Sequence, residues 1–261
     1  MTDNFRLDGK TAIVTGAGSG IGRAVALTFA ASGARVYAVD IQTDQAEETA
    51  RMIAQAGGAK ASPLVCDVTD AAMVTQKFGE AAAEGRLDIL VNSAGVSHIG
   101  RLESTTEEDF ERLFRVNVKG IFLCMQAVIG PMKQAGGGII LNMASIAATA
   151  GLSDRFAYSM SKGAVLAMTL SVAKDYMADG VRCNCISPAR IHTPFVDAFL
   201  RRHYPGQEEE MFAKLSKAQP IGRMGSPDEV ASLALFLCSD RATFITGADI
   251  PLDGGFLNLR G

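Results

Sequence analysis

The chain has 261 residues, 48% of them hydrophobic, and a formal net charge of −3, which is enough apolar material for one large α/β unit or two small ones. That charge balance gives no electrostatic reason to expect nucleic acid or an anionic membrane as partner. No window reads as long and apolar enough to span a bilayer. Residues 1–6 lack the charged-then-apolar order of an export signal, so a cytoplasmic protein is expected.

Taken in chain order, residues 11–15 read as a strand and 21–32 as a helix. Residues 35–39 are a strand followed by a helix over 46–56. Residues 62–66 are a strand followed by a helix over 71–83. A buried strand at 87–92 precedes a long helix over 106–134. Residues 138–143 form a strand, 157–177 a helix and 181–187 a strand. Helical pieces fill 195–238, and 249–252 is a last short strand. Nearly all-apolar strands separated by helices predict a parallel sheet covered on both faces, hence a doubly wound α/β fold. No low-complexity linker interrupts the pattern, so 1–261 is read as one domain. Cys66, Cys124, Cys183, Cys185 and Cys238 sit mostly in apolar runs without a Cys-x-x-Cys pair, which predicts reduced, buried thiols. His98, His192 and His203 add no ligand spacing, and no metal site is expected.

The first strand runs directly into Thr15-Gly16-Ala17-Gly18-Ser19-Gly20-Ile21-Gly22, and a helix follows. A turn of this kind lets backbone N–H groups approach a phosphate closely at a helix N-terminus. The strict G-x-G-x-x-G spacing is absent, because Ile21 takes the place of its third glycine, and an ordinary glycine-rich turn is the competing reading. Asp40 ends the second strand. It is either a turn residue or a carboxylate that accepts hydrogen bonds from both ribose hydroxyls of a dinucleotide and repels a 2′-phosphate. No Arg or Lys lies between Gly16 and Gly22, so NAD is favoured. Tyr158 and Lys162 lie four residues apart, on one helix face. A phenol titrates near pH ~10; a neighbouring ammonium and a positive nicotinamide would stabilise the phenolate and suit it to acid/base work. Alone, Tyr-x-x-x-Lys is a weak signal.

Seven segments occur in order: Thr15–Gly22, Asp67-Val68, Asn92-Ser93-Ala94-Gly95, Asn117-Val118, Ser145, Tyr158–Lys162 and Asp253-Gly254-Gly255. Together they resemble the single-domain branch of the short-chain dehydrogenase/reductase family, over essentially the whole chain. The resemblance implies a Rossmann-type sheet of about seven parallel strands with helices on both faces. It assigns Tyr158 as general acid/base, Ser145 as the donor to the substrate oxygen, Lys162 to the nicotinamide ribose and to Tyr158, and Asn117 to a water in the proton relay. Ser19, Gly20, Ile21 and Gly22 would hold the pyrophosphate. Asp67 and Val68 would meet the adenine. Asn92, Ala94 and Gly95 would line the ribose wall, and Pro188, Ile191 and Thr193 the nicotinamide carboxamide. The family also implies homotetramers, or dimers, packed through the helices that carry Asn117 and Tyr158. Two departures stand out. Ser93 replaces a frequent asparagine, and Ala189 replaces a frequent glycine after Pro188, so the backbone there must avoid positive φ.

Arg155, Arg190 and His98 flank the expected chemistry. Each arginine is either a solvated or ion-paired surface residue or a fork for a substrate carboxylate. Together with His98 they favour a small polar or acidic substrate. Softer similarity points to members that oxidise small hydroxy acids and sugar-derived (2-keto-3-deoxy) acids. Residues 193–217 read as a substrate lid, apolar inside through Phe195, Phe199, Met211, Phe212 and Leu215. The leading expectation is therefore an NAD-dependent dehydrogenase of such an acid. The alternatives are a neutral sugar or polyol dehydrogenase, a 3-oxoacyl thioester reductase, or a non-catalytic nucleotide-sensing Rossmann protein.

Overall fold

Strands that are apolar on both faces need cover on both faces, and the chain supplies it by alternating strand with helix. In the computed structural model, which describes residues 5–259, the strands are Thr11–Thr15 (β1), Arg35–Asp40 (β2), Ala61–Val65 (β3), Ile89–Asn92 (β4), Gly138–Met143 (β5), Val181–Pro188 (β6) and Asp249–Leu252 (β7). They form one parallel sheet in the order β3-β2-β1-β4-β5-β6-β7. The order reverses at β1, which lies between β2 and β4 and pairs Thr15 with Val39 on one side and Asn92 on the other. A crevice opens at the carboxyl ends of strands where their order reverses, and ligands bind there. The residues 1–6 read for an export signal fall largely outside the described residues.

Nine α-helices are described: Gly20–Ala31 (α1), Thr43–Gln55 (α2), Ala71–Ala83 (α3), Glu107–Leu113 (α4), Ile121–Gln134 (α5), Phe156–Asp175 (α6), Pro194–His203 (α7), Glu208–Lys217 (α8) and Pro227–Cys238 (α9). One face of the sheet is sealed by a core that includes Val25, Phe29, Val230 and Leu237 from α1 and α9. The other is sealed by Phe78, Val128 and Val165 from α3, α5 and α6. All five cysteines are buried thiols in these layers. Helix α2 starts at Thr43, three residues before the sequence reading placed it, because its first turn is polar (Thr43-Asp44-Gln45) and carries no apolar signal.

The single helix expected over 106–134 is α4 and α5 joined by a π-helical stretch, Phe114–Gly120. Extra residues of this kind interrupt a helix mostly at functional positions, and this one carries Asn117. Contrary to the sequence reading, the run Glu107–Gln134 is long enough to cross a membrane and holds an 18-residue window apolar enough to do so, with a mean hydropathy of 1.4 over that window. Half of that apolar window is buried against the protein's own sheet and helices, and its apolarity belongs to the core beneath it.

Phe29 is fully buried between α1 and the sheet. Phe29→Ala is expected to destabilise the protein by about 3–5 kcal/mol, read as a lower denaturant midpoint at unchanged m-value.

Candidate active site

The turn after β1 is built for close approach. Gly16 has φ +65°, and a Cβ there would lie 2.8 Å from Ala94. The loop after β4 is drawn onto the turn by Thr15, whose Oγ1 accepts from the Ser93 and Ala94 N–H groups at 3.1 and 3.2 Å. A Cβ on Gly22 would meet the Gly16 carbonyl oxygen at 2.1 Å, so the first turn of α1 can tuck under the loop only as glycine. Ser19 stands at the N-cap of α1 but makes no side-chain cap bond, and Ser19, Gly20 and Ile21 face an open cleft. The uncapped N-terminus is a ready site for an anion such as a pyrophosphate. Asp40 hangs over the turn: Oδ2 accepts from Gly18 N–H at 2.9 Å and Oδ1 from Gln42 N–H at 3.0 Å.

The sequence reading missed Arg23, one residue beyond the glycine turn. Its guanidinium donates to the Gly18 carbonyl, to Gln45 Oε1 at 2.7 Å and to Thr49 Oγ1 at 3.0 Å. Thr49 Oγ1 in turn donates to the Ala17 carbonyl at 2.8 Å, so α2 straps the turn in place. The signal was available in the cation at the start of α1, but its partners on α2 lie more than twenty residues downstream.

Turn and catalytic candidates open into one cleft of about 830 Å³. Of the residues assigned above to catalysis, cofactor or substrate, all but Asn92, His98 and Asn117 line it. Asn92 lies beneath the cleft, where its Nδ2 donates to Asn142 Oδ1 at 2.8 Å inside the sheet. His98, expected beside the substrate, turns toward α4 instead: its Nδ1 is 3.4 Å from Asp109 Oδ1, and its ring fills the space that a Cβ on Gly100 would take. Asn117 is fully buried. Its Oδ1 accepts from Val96 N–H at 2.8 Å, and its Nδ2 donates to the Val96 carbonyl at 2.8 Å and to Ser161 Oγ at 3.0 Å. With both N–H bonds engaged, its side chain has no donor left for a relay water.

Ser145 caps a short 3₁₀ turn, its Oγ accepting from Ala147 N–H at 3.1 Å. It also hydrogen-bonds the Tyr158 phenol. Burial raises the Tyr158 pKa above its ordinary value, while the Ser145 hydrogen bond and then the Arg155 charge pull it down. In the chain alone, therefore, the phenol is not poised as a base, and the cation that acts on it is Arg155. Lys162 is 7% exposed. Its Nζ donates to the Met143 carbonyl at 2.7 Å and lies 5.7 Å from the centre of the Tyr158 ring. Burial brings its pKa down to about 8.

At the other end of the cleft, Arg155 begins α6 and Arg190 follows β6, both half-buried. Among the described residues neither has a carboxylate within ion-pair distance. Arg155 donates only to the Asp154 carbonyl, at 3.3 Å, and Arg190 Nε is buried without a partner. Burial lowers both guanidinium pKa values, and the Arg155 charge lowers that of Arg190 further. Asp154 has φ +58°, the one positive φ at a non-glycine residue among those described. Asp tolerates this conformation, which turns the chain into α6 just before Arg155. Ala189 adopts no such angle, and its N–H donates to the Leu252 carbonyl at 3.0 Å. From the expected lid, Pro194, Phe195 and Val196 reach the cleft. Phe195 is exposed rather than tucked inside, and Phe212 packs on the His192 ring, 4.9 Å between centres.

Residues 16–257 match the family described as enoyl-(acyl carrier protein) reductase. The chain is 44% identical over 256 residues to the D-threitol dehydrogenase of Mycolicibacterium smegmatis, covering 97% of this chain and 95% of that one. It is 39% identical over 259 residues to the 2-keto-3-deoxy-L-fuconate dehydrogenase of Xanthomonas campestris pv. campestris, covering 98% and 83% of the two. The L-sorbose reductase of Gluconobacter frateurii, solved with NADPH and L-sorbose, superposes with a TM-score of 0.93 at 30% identity, over 98% of this chain and 100% of that one. The chain belongs to the short-chain dehydrogenase/reductase family, and it is an oxidoreductase of that family.

The lowered pKa of Lys162 makes a stability prediction. Between about 8 and the ordinary 10.5 the unfolded chain holds a proton that the folded chain has released, so this residue makes stability rise with pH across that window. The buried thiols act oppositely, since burial pushes Cys66 up to about 11 and Cys183 and Cys238 up to about 12. The comparison is therefore wild type against Lys162→Met. Over this window wild type should gain about 3 kcal/mol on the variant in denaturant unfolding; parallel curves would mean that the lysine keeps its ordinary pKa in the folded chain.

Proposed function

We propose that the protein is an NAD-dependent dehydrogenase that interconverts a secondary alcohol and a ketone on a small hydroxy acid, a sugar-derived (2-keto-3-deoxy) acid being the leading case. The observation that carries the acid is the pair Arg155 and Arg190. Two half-buried guanidinium groups in one cleft, with no carboxylate within ion-pair distance of either among the described residues, are costly unless a ligand anion joins them. Arginine's planar fork suits a carboxylate.

The cleft fits a dinucleotide. The uncapped start of α1 would take the pyrophosphate, and Asp40 the ribose hydroxyls, repelling a 2′-phosphate. Arg23, the nearest cation, is held by Gly18, Gln45 and Thr49 and is not free to compensate that phosphate. Bound nicotinamide would supply the hydride acceptor and a positive charge. Ser145 would donate to the substrate oxygen. Tyr158 would accept the hydroxyl proton through its phenolate, and the added positive charge offsets the burial that raises its pKa. Lys162, charged at neutral pH, would hold the ribose and favour the phenolate. Asn117 would be a positioning residue, joining the loop at Val96 to α6 through Ser161. Residues 193–217 would serve as the lid. A homotetramer packed on the long helices would cover the exposed Phe110, Phe114, Phe122 and Leu170.

A neutral polyol is the second reading, favoured by the 44% identity to a D-threitol dehydrogenase. Arg155→Met separates the two. On a hydroxy acid the loss in kcat/KM should be about 2–3 kcal/mol of transition-state stabilisation, with little change on a neutral diol. An equal effect on both, or none, would leave Arg155 a structural residue and favour the polyol. For the cofactor, wild type should prefer NAD over NADP in kcat/KM. Asp40→Ala should narrow the gap by about tenfold, the equivalent of ~1.4 kcal/mol; a wild-type preference for NADP overturns the NAD reading.

A further inference from the structure

Gln219 lies between α8 and α9, just before Pro220, and nothing above gives it a role. Its side chain is 4% exposed, yet it lines the same cleft as Tyr158, Arg155 and Arg190. Its Oε1 is buried with no hydrogen-bond partner. Buried side-chain carbonyls are almost always paired, so an unpaired one on a residue that lines a ligand cleft marks a place where a ligand can complete the bond.

The turn that carries it is held on both sides. Gln219 N–H donates to the Ser216 carbonyl at 3.1 Å, and its own carbonyl accepts from Gly222 N–H at 2.8 Å. Ile221 N–H donates to the Gly254 carbonyl at 3.1 Å, which ties the turn to the segment after β7. That segment also sends Phe256 to the cleft, and Phe195 reaches it from α7. The two arginines can only donate. An occupant that satisfies this end of the cleft must bring acceptors to Arg155 and Arg190 and a donor to Gln219.

We propose that Gln219 is a specificity-determining residue: its Oε1 accepts a hydrogen bond from a second substrate hydroxyl, one that is not oxidised, and so selects a polyhydroxylated substrate over its deoxy analogue. The proposal rests on the cleft being an alcohol dehydrogenase site, but not on the substrate being an acid. A site whose buried acceptor is left unpaired by the analogue rejects that analogue far more strongly than a site that has lost only an apolar contact.

The test compares kcat/KM with NAD⁺ on two pairs of probes: 2,3-dihydroxybutyrate against 3-hydroxybutyrate, and threitol against butan-2-ol. Wild type should favour the more hydroxylated member of the pair it turns over. Gln219→Met should lose about 5- to 150-fold on that member and almost nothing on its analogue, with KM for NAD⁺ unchanged. Gln219→Glu keeps the acceptor and adds a charge, so it should retain threitol and lose the acid; it also serves if the methionine variant folds poorly. Equal losses on both members, a raised KM for NAD⁺, or no preference in wild type overturns the proposal. If only the neutral pair is turned over and its preference depends on Gln219, the hydroxy-acid reading falls and Gln219 keeps its role. If neither pair is turned over, the same four ligands are compared by the shift in Tm with NADH present. No larger shift for the hydroxylated members then overturns the proposal.

Discussion

The amide of Asn117 is the joint on which the cleft depends. It is fully buried, it sits in a π-helical stretch, and it grips the backbone of Val96 on both its N–H and its carbonyl. Its second N–H goes to Ser161 Oγ, and that hydroxyl donates to the Tyr158 carbonyl at 2.8 Å. One side chain thus ties the loop after β4 to the helix that bears Tyr158 and Lys162. A regular α-helix would carry the residues before and after this position in a different register. The extra residue in the turn is what lets Asn117 face inward while both flanking helical segments keep their apolar faces on the sheet.

From that joint the arrangement spreads outward. Val96 and Gly95 form one wall of the cleft, and a Cβ on Gly95 would lie 3.2 Å from Asn117 Oδ1 and 3.9 Å from Lys162 Nζ. Lys162 is anchored in turn by the Met143 carbonyl at the end of β5. The same strand ends lead into Ser145, so three neighbouring parallel strands deliver their loops to one edge. On the far side, Thr15 fastens the glycine turn to Ser93 and Ala94. The two halves of the cleft are therefore hydrogen-bonded to a common loop, 93–97, rather than merely adjacent. Pre-positioning of this kind is what lets a proton and a hydride move without the chain first reorganising.

Electrostatically the cleft is lopsided. The end at the glycine turn has two carboxylates, Asp40 and Asp67, each bound to backbone N–H groups; the opposite end has two guanidinium groups and a buried lysine. Burial works against all three cations and against the phenolate alike. At neutral pH Lys162 and the two arginines stay charged all the same, and the phenol alone rests in its neutral form.

Much of this was already legible in the chain as written. Period and composition determined seven apolar strands in alternation with helices, because a strand buried on both faces shows an uninterrupted apolar run. The glycine turn, Asp40 and the Tyr158–Lys162 pair were legible because their chemistry is local: a tight turn, a strand end and one helix face. Tertiary structure alone decided what depends on distant partners. It turned His98 away to Asp109, bound Asn92 to Asn142 inside the sheet, and engaged Arg23 with α2. It also left the oxygen of Gln219 buried and unpaired on a residue that lines the cleft. Nothing in the residue itself distinguishes such a glutamine from one in solvent. Its character comes from its place in the cleft, which the rest of the chain builds.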